Sequence, residues 1–223
     1  GFVGAGGAML SVPILLYIFN FTAIPATTGA LAIVLFASLA GALPKARSKE
    51  ILYRDALVIW SLGLVTNLAA SLLAHNLSDT FITAGFAAVL LIAATSMLRK
   101  AKQQEHRRMS VPVLVLVSLG IGALTGLFGI GGGFIVVPVL INAFGTPPRI
   151  ATGTSLVVIS LNSATAFVGH YSHWSEIDWK YPIIIGASAV IVALLASHKQ
   201  KAINSDQTRK YFAALLICIS AFT

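Results

Sequence analysis

Acidic residues are scarce in this sequence, and none of them lies inside an apolar run. Only 7 Asp and Glu occur among 223 residues, and 10% of the chain is charged, whereas about 25% is typical of a soluble domain. Apolar runs of 17 or more uncharged residues recur instead, which indicates a multi-spanning membrane protein. The lack of carboxylates in these runs argues against a metal or sodium transporter built on acids. It also argues against an enzyme of the intramembrane hydrolase class, which needs a base beside its nucleophile.

Cysteine and histidine are too few, or too close to the loops, to indicate a metal site. The single cysteine, Cys218, lies in an apolar segment and permits no internal disulfide. All five histidines occur in loops or at the ends of spans, so we interpret His170 and His173 as interfacial residues. The net charge of +8 does not indicate a nucleic-acid partner, because the basic residues occupy short loops where membrane topology explains them. We expect no cofactor, no metal and no nucleic-acid partner.

The chain contains an internal repeat with an offset of 125 residues. The phrase GFVGAGGAMLSVP at residues 1–13 aligns without gaps with GLFGIGGGFIVVP at residues 126–138. The Ala-Thr pairs at 26–27 and 151–152 fall in the same register. Shared apolar bias does not align four glycines, a proline and an Ala-Thr pair at one offset, so the match indicates a duplication.

Each repeat contains a glycine-broken stretch followed by three apolar spans. The predicted spans, in chain order, are Ala26–Leu43, Ala56–Ala74, Thr80–Leu98, Ala151–Gly169, Tyr181–Ser197 and Tyr211 to the end. We predict that residues 1–108 form the first repeat and residues 109–223 the second. The apolar segment Val111–Thr125 precedes the second glycine phrase, so we expect an equivalent segment before Gly1 in the natural protein.

The basic residues predict the orientation of the spans. When the spans are counted from loop to loop, 14 of the 15 Lys and Arg fall on one side and only Lys180 falls on the other. The positive-inside rule places the larger group in the cytoplasm. Loop 45–54 is then inside, whereas its counterpart in the second repeat, 170–180, is outside. The sequence therefore predicts two inverted repeats, a construction common among secondary transporters.

The glycine-broken stretch Val111–Phe144 is too short to cross the membrane twice. It has 34 residues, whereas two full crossings need about 40. Both of its ends fall on the same side, so we predict a re-entrant helical hairpin that turns at Gly129–Gly133. The equivalent hairpin of the first repeat enters from the other side. The predicted fold is an all-α polytopic membrane protein whose two inverted repeats each contain a re-entrant hairpin and three transmembrane helices.

The glycine turns predict an anion site that needs no basic side chain. Backbone N–H groups at such a turn and the N-terminus of the returning helix point at the same place. The predicted backbone donors are Gly4, Gly6, Gly7, Gly129, Gly131, Gly132 and Gly133. The alternative is close helix packing, for which Gly122 and Gly126 already have a small-xxx-small spacing.

Neutral polar side chains follow each glycine phrase. ATTGA at residues 26–30 and ATGTS at residues 151–155 hold equivalent places. Their hydroxyls either face a substrate or cap the following helix. Asn67 and Asn162 lie within spans, where a buried amide has to be hydrogen-bonded, so joining two helices is the alternative role of each. The candidate side chains for substrate binding are Thr27, Thr28, Thr152, Thr154, Ser155 and Asn162.

The duplicated glycine phrase, followed by ATTGA and ATGTS, resembles the TauE/SafE family of sulfite exporters over nearly the whole chain. The resemblance implies a multi-pass transporter in the bilayer of the bacterial cell (inner) membrane. It also implies a substrate among small sulfur-containing anions, such as sulfite or organosulfonates. The first phrase departs from the second at Ala8, where the second has Gly133.

Three functions remain open at this point. The first is a secondary transporter that exports a small anion by alternating access around the two glycine hairpins. Protons are one candidate coupling ion for it, although no residue in the sequence demonstrates this. The second is a passive anion channel, and the third is a non-transporting membrane scaffold in which the glycines serve packing alone.

Overall fold

The computed structural model describes residues 8–74, 76–98, 111–128, 136–137, 139–141 and 145–199. Every regular element within these ranges is helical. The elements, in chain order, are α1 (Ala8–Pro13), a π-helical turn (Ile14–Ile18), α2 (Ala23–Arg47), α3 (Tyr53–Ala74), α4 (Asp79–Leu98), α5 (Val111–Phe128), α6 (Pro148–Gly169), a 3-10 helix (Tyr171–Glu176) and α7 (Lys180–Lys199). Residues 136–137 and 139–141 are also helical.

Four of these helices are long and apolar enough to cross a membrane: α2, α3, α5 and, from Arg149 onward, α6. The 22 residues of α3 extend about 33 Å at 1.5 Å each, which matches a hydrocarbon core of about 30 Å. The five spans predicted between Ala26 and Ser197 all fall inside helices, which confirms an all-α, multi-span protein. The span predicted from Tyr211 and the turn predicted at Gly129–Gly133 lie outside the described residues.

Helix α2 lies at the centre of the bundle. It packs against both α6 and α7, and it also contacts α1. Within its most apolar window 78% of the residues are buried, compared with 33% for α3. Helix α2 is therefore enclosed by other helices, whereas most of the α3 surface faces outward, toward lipid in a membrane.

Helices α2 and α6 run antiparallel. Thr28, near the start of α2, is hydrogen-bonded to His170, directly after the end of α6, at 2.9 Å. Further along, the hydroxyls of Ser38 and Ser160 are 2.8 Å apart. The two helices therefore lie side by side, and the start of α2 lies beside the end of α6.

Helices α3 and α5 run parallel and pack at very short distance. A Cβ added to Gly63 would lie 2.6 Å from the carbonyl oxygen of Ser118, and one added to Gly122 would collide with the carbonyl oxygen of Gly63. One helical turn further on, a Cβ on Gly126 would collide with the carbonyl oxygen of Asn67. The packing interpretation is therefore confirmed for Gly122 and Gly126, because only glycine permits this approach.

Helix α3 also runs parallel to α6. Asn67 is hydrogen-bonded to Asn162, and one turn later a Cβ added to Gly169 would lie 2.7 Å from Cβ of Ser71. Helices α3, α5 and α6 therefore start at one end of the bundle, and α2 starts at the other.

Two apolar clusters lie at these opposite ends. One contains the π-helical turn and the first turns of α2 and α4, with Leu15, Ala26 and Phe86 buried in it. The other contains the first halves of α3 and α6 and part of residues 136–141, with Ile59 and Leu140 buried in it. The first cluster therefore lies at the end of the bundle where α2 begins, and the second lies at the end where α3 and α6 begin.

Helix α2 ends in a Schellman motif that brings Glu50 back over its last turn. The N–H of Lys49 donates to the carbonyl oxygen of Ala46 at 3.1 Å, and the N–H of Glu50 donates to that of Lys45 at 2.9 Å. Lys49 takes the left-handed conformation that the motif requires, with φ of 55°. The side chains of Lys45 and Glu50 are therefore adjacent.

Candidate functional site

Six of the predicted ligand side chains lie in the described part of the chain, and all six are buried: Thr27, Thr28, Thr152, Thr154, Ser155 and Asn162. The seven predicted backbone donors lie outside the described residues: Gly4, Gly6, Gly7, Gly129, Gly131, Gly132 and Gly133. The glycine half of the site therefore stays a prediction.

The hydroxyl residues after each glycine phrase do not cap the helices that follow. The N-cap positions of α2 and α6 are Thr22 and Pro147, and neither makes a side-chain cap hydrogen bond. The candidate hydroxyls lie one turn or more inside the helices. The Thr28 hydroxyl oxygen lies 2.8 Å from the carbonyl oxygen of Ile24, and Ser155 donates to the carbonyl oxygen three residues before it at 2.9 Å. The capping alternative is therefore wrong.

Thr154 holds the loop between α2 and α3 against the start of α6. Its hydroxyl oxygen accepts the backbone N–H of Leu52 at 3.0 Å. A Cβ on the neighbouring Gly153 would collide with the carbonyl oxygen of Glu50. This contact gives Thr154 a structural role at the end of the bundle where α6 begins.

An ion-paired cluster lies at the same end. One carboxylate oxygen of Glu50 is 2.7 Å from Nζ of Lys45, and the other is 2.8 Å from a guanidinium nitrogen of Arg149. The Lys45 side chain is 6% exposed and that of Arg149 is 67% exposed. Glu50 therefore neutralises one ammonium group inside the protein and contacts a second cation at its surface.

His170 is completely buried, which corrects its interpretation as an interfacial residue. The 3-10 helix that follows it folds back onto α6, where the indole N–H of Trp174 donates to the carbonyl oxygen of Phe167 at 3.1 Å. His173 pairs with Glu176 in an exposed contact at 2.7 Å, and its interfacial position stays a prediction. The 125-residue offset aligns His170 with Lys45, but the sequence does not show that either is buried.

The imidazole of His170 joins three helices. Its Nδ1 is 2.9 Å from the Thr28 hydroxyl oxygen on α2, and its Nε2 is 3.2 Å from the Gly126 carbonyl oxygen on α5. Gly126 is the first residue of the second glycine phrase, and Thr28 belongs to the ATTGA phrase that follows the first. The histidine therefore connects sequence motifs from both halves of the chain.

Asn162 joins α6 to α3. The side-chain amide of Asn67 donates to the backbone oxygen of Asn162 at 3.0 Å and contacts its side-chain oxygen at 3.3 Å. Both residues are buried. The helix-joining role considered for these two residues is therefore present in the structure.

Four buried hydroxyls have no hydrogen-bond partner among the described residues: Thr27, Ser71, Ser118 and Ser163. They lie on α2, α3, α5 and α6 respectively. An unsatisfied buried polar group is destabilising by about 1–3 kcal/mol, so these O–H groups are available donors for a polar guest inside the bundle. Sequence reasoning missed Ser71 and Ser118, because an isolated hydroxyl in an apolar span forms no motif.

A groove between α2 and α7 has a volume of about 290 Å³, but its chemistry does not suit an anion. Its walls are almost wholly apolar and are formed by Ala32, Ile33, Phe36, Trp179, Pro182, Ile183, Gly186, Ala187 and Val190. The buried hydroxyls, and not this groove, are therefore the candidate binding groups.

Comparison with known proteins identifies the family. The family model described as "Sulfite exporter TauE/SafE" matches residues 1–223. The chain belongs to the sulfite exporter TauE/SafE family. It is 22% identical over 210 residues to the probable membrane transporter protein YunE of Bacillus subtilis, covering 82% of this chain and 77% of that protein. It is 28% identical over 200 residues to a probable membrane transporter protein of Methanocaldococcus jannaschii, covering 86% and 73%.

A third relative, the probable membrane transporter protein YjnA of Bacillus subtilis, is 40% identical over 90 residues, which is 40% of this chain and 34% of that protein. No solved structure matches the chain with statistical significance. Family membership and the four long apolar helices together make this TauE/SafE family member a multi-pass membrane transporter. A transporter of this kind has a small-molecule substrate and a lipid bilayer as its surroundings.

Proposed function

We propose that this TauE/SafE family member is a secondary transporter that exports small sulfur-containing anions, such as sulfite or organosulfonates, across a bacterial cell membrane. The observation that carries the proposal is the group of buried hydroxyls without partners, above all Thr27 and Ser163. Among the described residues, acids lie only in loops and at helix ends, so the interior offers donors without carboxylates to repel an anion. A neutral O–H bound to an oxyanion forms a charge-assisted hydrogen bond.

The proposal includes the two inverted repeats, 1–108 and 109–223. Adding 125 to the bounds of α2 and α3 gives 148–172 and 178–199, which nearly reproduce the bounds of α6 and α7. The apolar clusters at opposite ends of the bundle are what two repeats of opposite orientation would form. These agreements support the inverted arrangement that is common in secondary transporters.

The proposal also includes the re-entrant hairpins. Helices α5 and α6 start at the same end of the bundle, so the chain between Phe128 and Pro148 has to return to that end. Val136 and Leu140 are buried against the first half of α3, which supports a short returning segment. In this arrangement the substrate binds between the two repeats. The buried hydroxyls and the glycine N–H groups of both hairpins then donate hydrogen bonds to it.

Thr27→Val tests the site, because it removes one hydroxyl at nearly constant volume. We expect the KM for uptake of labelled sulfite into proteoliposomes to rise about tenfold, since a hydrogen bond to a charged group contributes about 1.5–3 kcal/mol. We expect little change in thermal stability, because no described partner loses a bond. The matched control is Thr95→Val, which removes an exposed hydroxyl on α4.

The outcomes separate the site from the function. An unchanged KM in Thr27→Val would remove Thr27 from the binding site. Wild-type uptake no greater than that of empty liposomes, for sulfite and for an organosulfonate, would contradict the transport function itself.

A further inference from the structure

We propose that His170 is the proton-binding site of this transporter and that its protonation raises the affinity for the anion. The proposal rests on the transport function proposed above and identifies the residue through which protons act on it. His170 is completely buried and bonds α2 and α5 from the end of α6. A proton bound there therefore changes the hydrogen bonds that connect the three helices.

The hydrogen bonds around His170 accommodate both of its protonation states. The Gly126 carbonyl oxygen only accepts, so Nε2 carries a proton in either state. The Thr28 hydroxyl has one proton and lies 2.9 Å from Nδ1 and 2.8 Å from the carbonyl oxygen of Ile24. In the neutral imidazole, Thr28 donates to Nδ1. When a proton binds Nδ1, the new N–H donates to Thr28, whose hydroxyl turns and donates to Ile24.

A single rotation of the Thr28 hydroxyl therefore keeps the hydrogen bonds to Thr28 and Gly126 in both protonation states. Histidine is the side chain whose unperturbed pKa lies between pH 5 and 8. The 125-residue offset places Lys45 at the equivalent position of the chain, where it is ion-paired with Glu50.

Charged side chains on the helices around His170 lie mostly at the far end of the bundle. In the described residues these are Lys45 and Arg47 on α2, Arg54 and Asp55 on α3, and Arg149 on α6. Helix α2 rises about 25 Å between Thr28 and Lys45, so the Lys45 charge lies far from the imidazole. Helix α5 carries no charged residue.

The charged residues at the same end as His170 are fewer and more exposed. His173 and Glu176 pair with each other, Asp178 and Lys180 are exposed, and Asp79 begins α4. The variants used to test the proposal therefore include the nearest of these, His173, as a control.

Binding of the proton and the anion should be cooperative. Protonation of His170 adds one positive charge inside the bundle, and a bound anion stabilises that charge. Ser71, whose hydroxyl has no described partner, lies against Gly169 and Gly126 and so adjoins the histidine. If the anion binds the protonated form more tightly, the proton binds the anion-loaded form more tightly by the same factor.

The first test is the pH dependence of organosulfonate uptake into proteoliposomes, with equal pH on both sides. An organosulfonate stays ionised between pH 5 and 8, so its own charge does not change. We expect the wild-type KM to fall about tenfold from pH 8 to pH 6, within the range of about 5 to 150-fold typical of coupled sites. His170→Gln keeps a donor and an acceptor but takes up no proton, so its KM should change less than about twofold. His173→Gln should retain the wild-type pH dependence.

The second test does not require transport. Nitrogen NMR of histidine-labelled protein in lipid nanodiscs, assigned with His170→Gln, reports the protonation of Nδ1 directly. We expect His170 to titrate between pH 5 and 8, and added organosulfonate to move the midpoint to higher pH. A His170 that stays neutral throughout, or a wild-type pH dependence in His170→Gln, overturns the proton site and leaves the transport function standing. Absence of wild-type uptake together with a titration that no anion shifts overturns the transport function and the coupling with it.

Discussion

Lys45 places a positive charge inside the bundle, and the ion pair with Glu50 stabilises that charge. The Schellman turn at the end of α2 brings the carboxylate 2.7 Å from the ammonium group. The same loop lies over the start of α6, where Gly153 contacts the Glu50 backbone. A carboxylate near the N-terminus of a helix is further stabilised by the helix dipole. One acidic residue thus connects the end of α2 with the start of α6.

Glu50→Gln should destabilise the protein strongly, because it leaves the buried Lys45 ammonium unpaired. Removing one partner of a buried ion pair typically costs about 3–5 kcal/mol. Adding Lys45→Met to this variant should restore most of the loss, since it removes the unpaired charge. Arg149→Gln is the control and should cost less than about 1 kcal/mol, because 67% of that side chain is exposed. Thermal unfolding in detergent measures all four proteins, and equal midpoints for Glu50→Gln and Arg149→Gln would contradict this account.

Individual residues were the hardest features to predict from the sequence. The ATTGA and ATGTS phrases predicted five candidate hydroxyls, and Asn162 was the sixth candidate side chain. All six are buried. The sequence did not show that Thr28 meets His170, because 142 residues separate them and only the antiparallel packing of α2 and α6 joins them. Burial of a histidine just beyond an apolar span depends on how the following chain folds back, which periodicity does not report.

At the scale of elements, the apolar runs predicted helices better than their ends. The span predicted at Ala26–Leu43 became Ala23–Arg47, because Lys45 and Arg47 continue the last turn and complement the negative end of the helix dipole. The small-residue spacing on α5 also carried information, and it explains the close contact with α3. It could not name Gly63 as the partner, since that requires the relative position of the two helices.

Gly122→Ala should disrupt the contact between α3 and α5, because the added methyl group would collide with the carbonyl oxygen of Gly63. We expect a marked loss of thermal stability. Gly120→Ala is the matched control on the same helix, where a Cβ would meet nothing within 4 Å. Alanine is a better helix former than glycine, so this control should be neutral or more stable by up to about 1 kcal/mol. Equal stability of the two variants in detergent would show that the helices do not pack as described.

At the scale of the whole molecule, two general signals predicted the class of protein. Composition indicated a membrane protein, and the duplicated glycine phrase indicated the family that the comparison then established. The antiparallel pair of α2 and α6, at equivalent places in the two proposed repeats, lies in the centre of the bundle. In the proposed mechanism, one repeat rocks against the other about this pair of helices, as in other secondary transporters built from inverted repeats. Composition carries no such information about motion, because a carrier and a channel can be equally apolar.

Counterflow in proteoliposomes tests the central proposal, a carrier that alternates access, most directly. Liposomes loaded with unlabelled sulfite are diluted into a trace of labelled sulfite, with the membrane potential clamped to zero. A carrier returns to the outside loaded more often than empty, so we expect labelled sulfite to accumulate transiently above its equilibrium level. Preloading with an organosulfonate should produce the same overshoot if both anions use one site. Equilibration without an overshoot would indicate a channel, and no uptake above that of empty liposomes would indicate a protein that does not transport these anions.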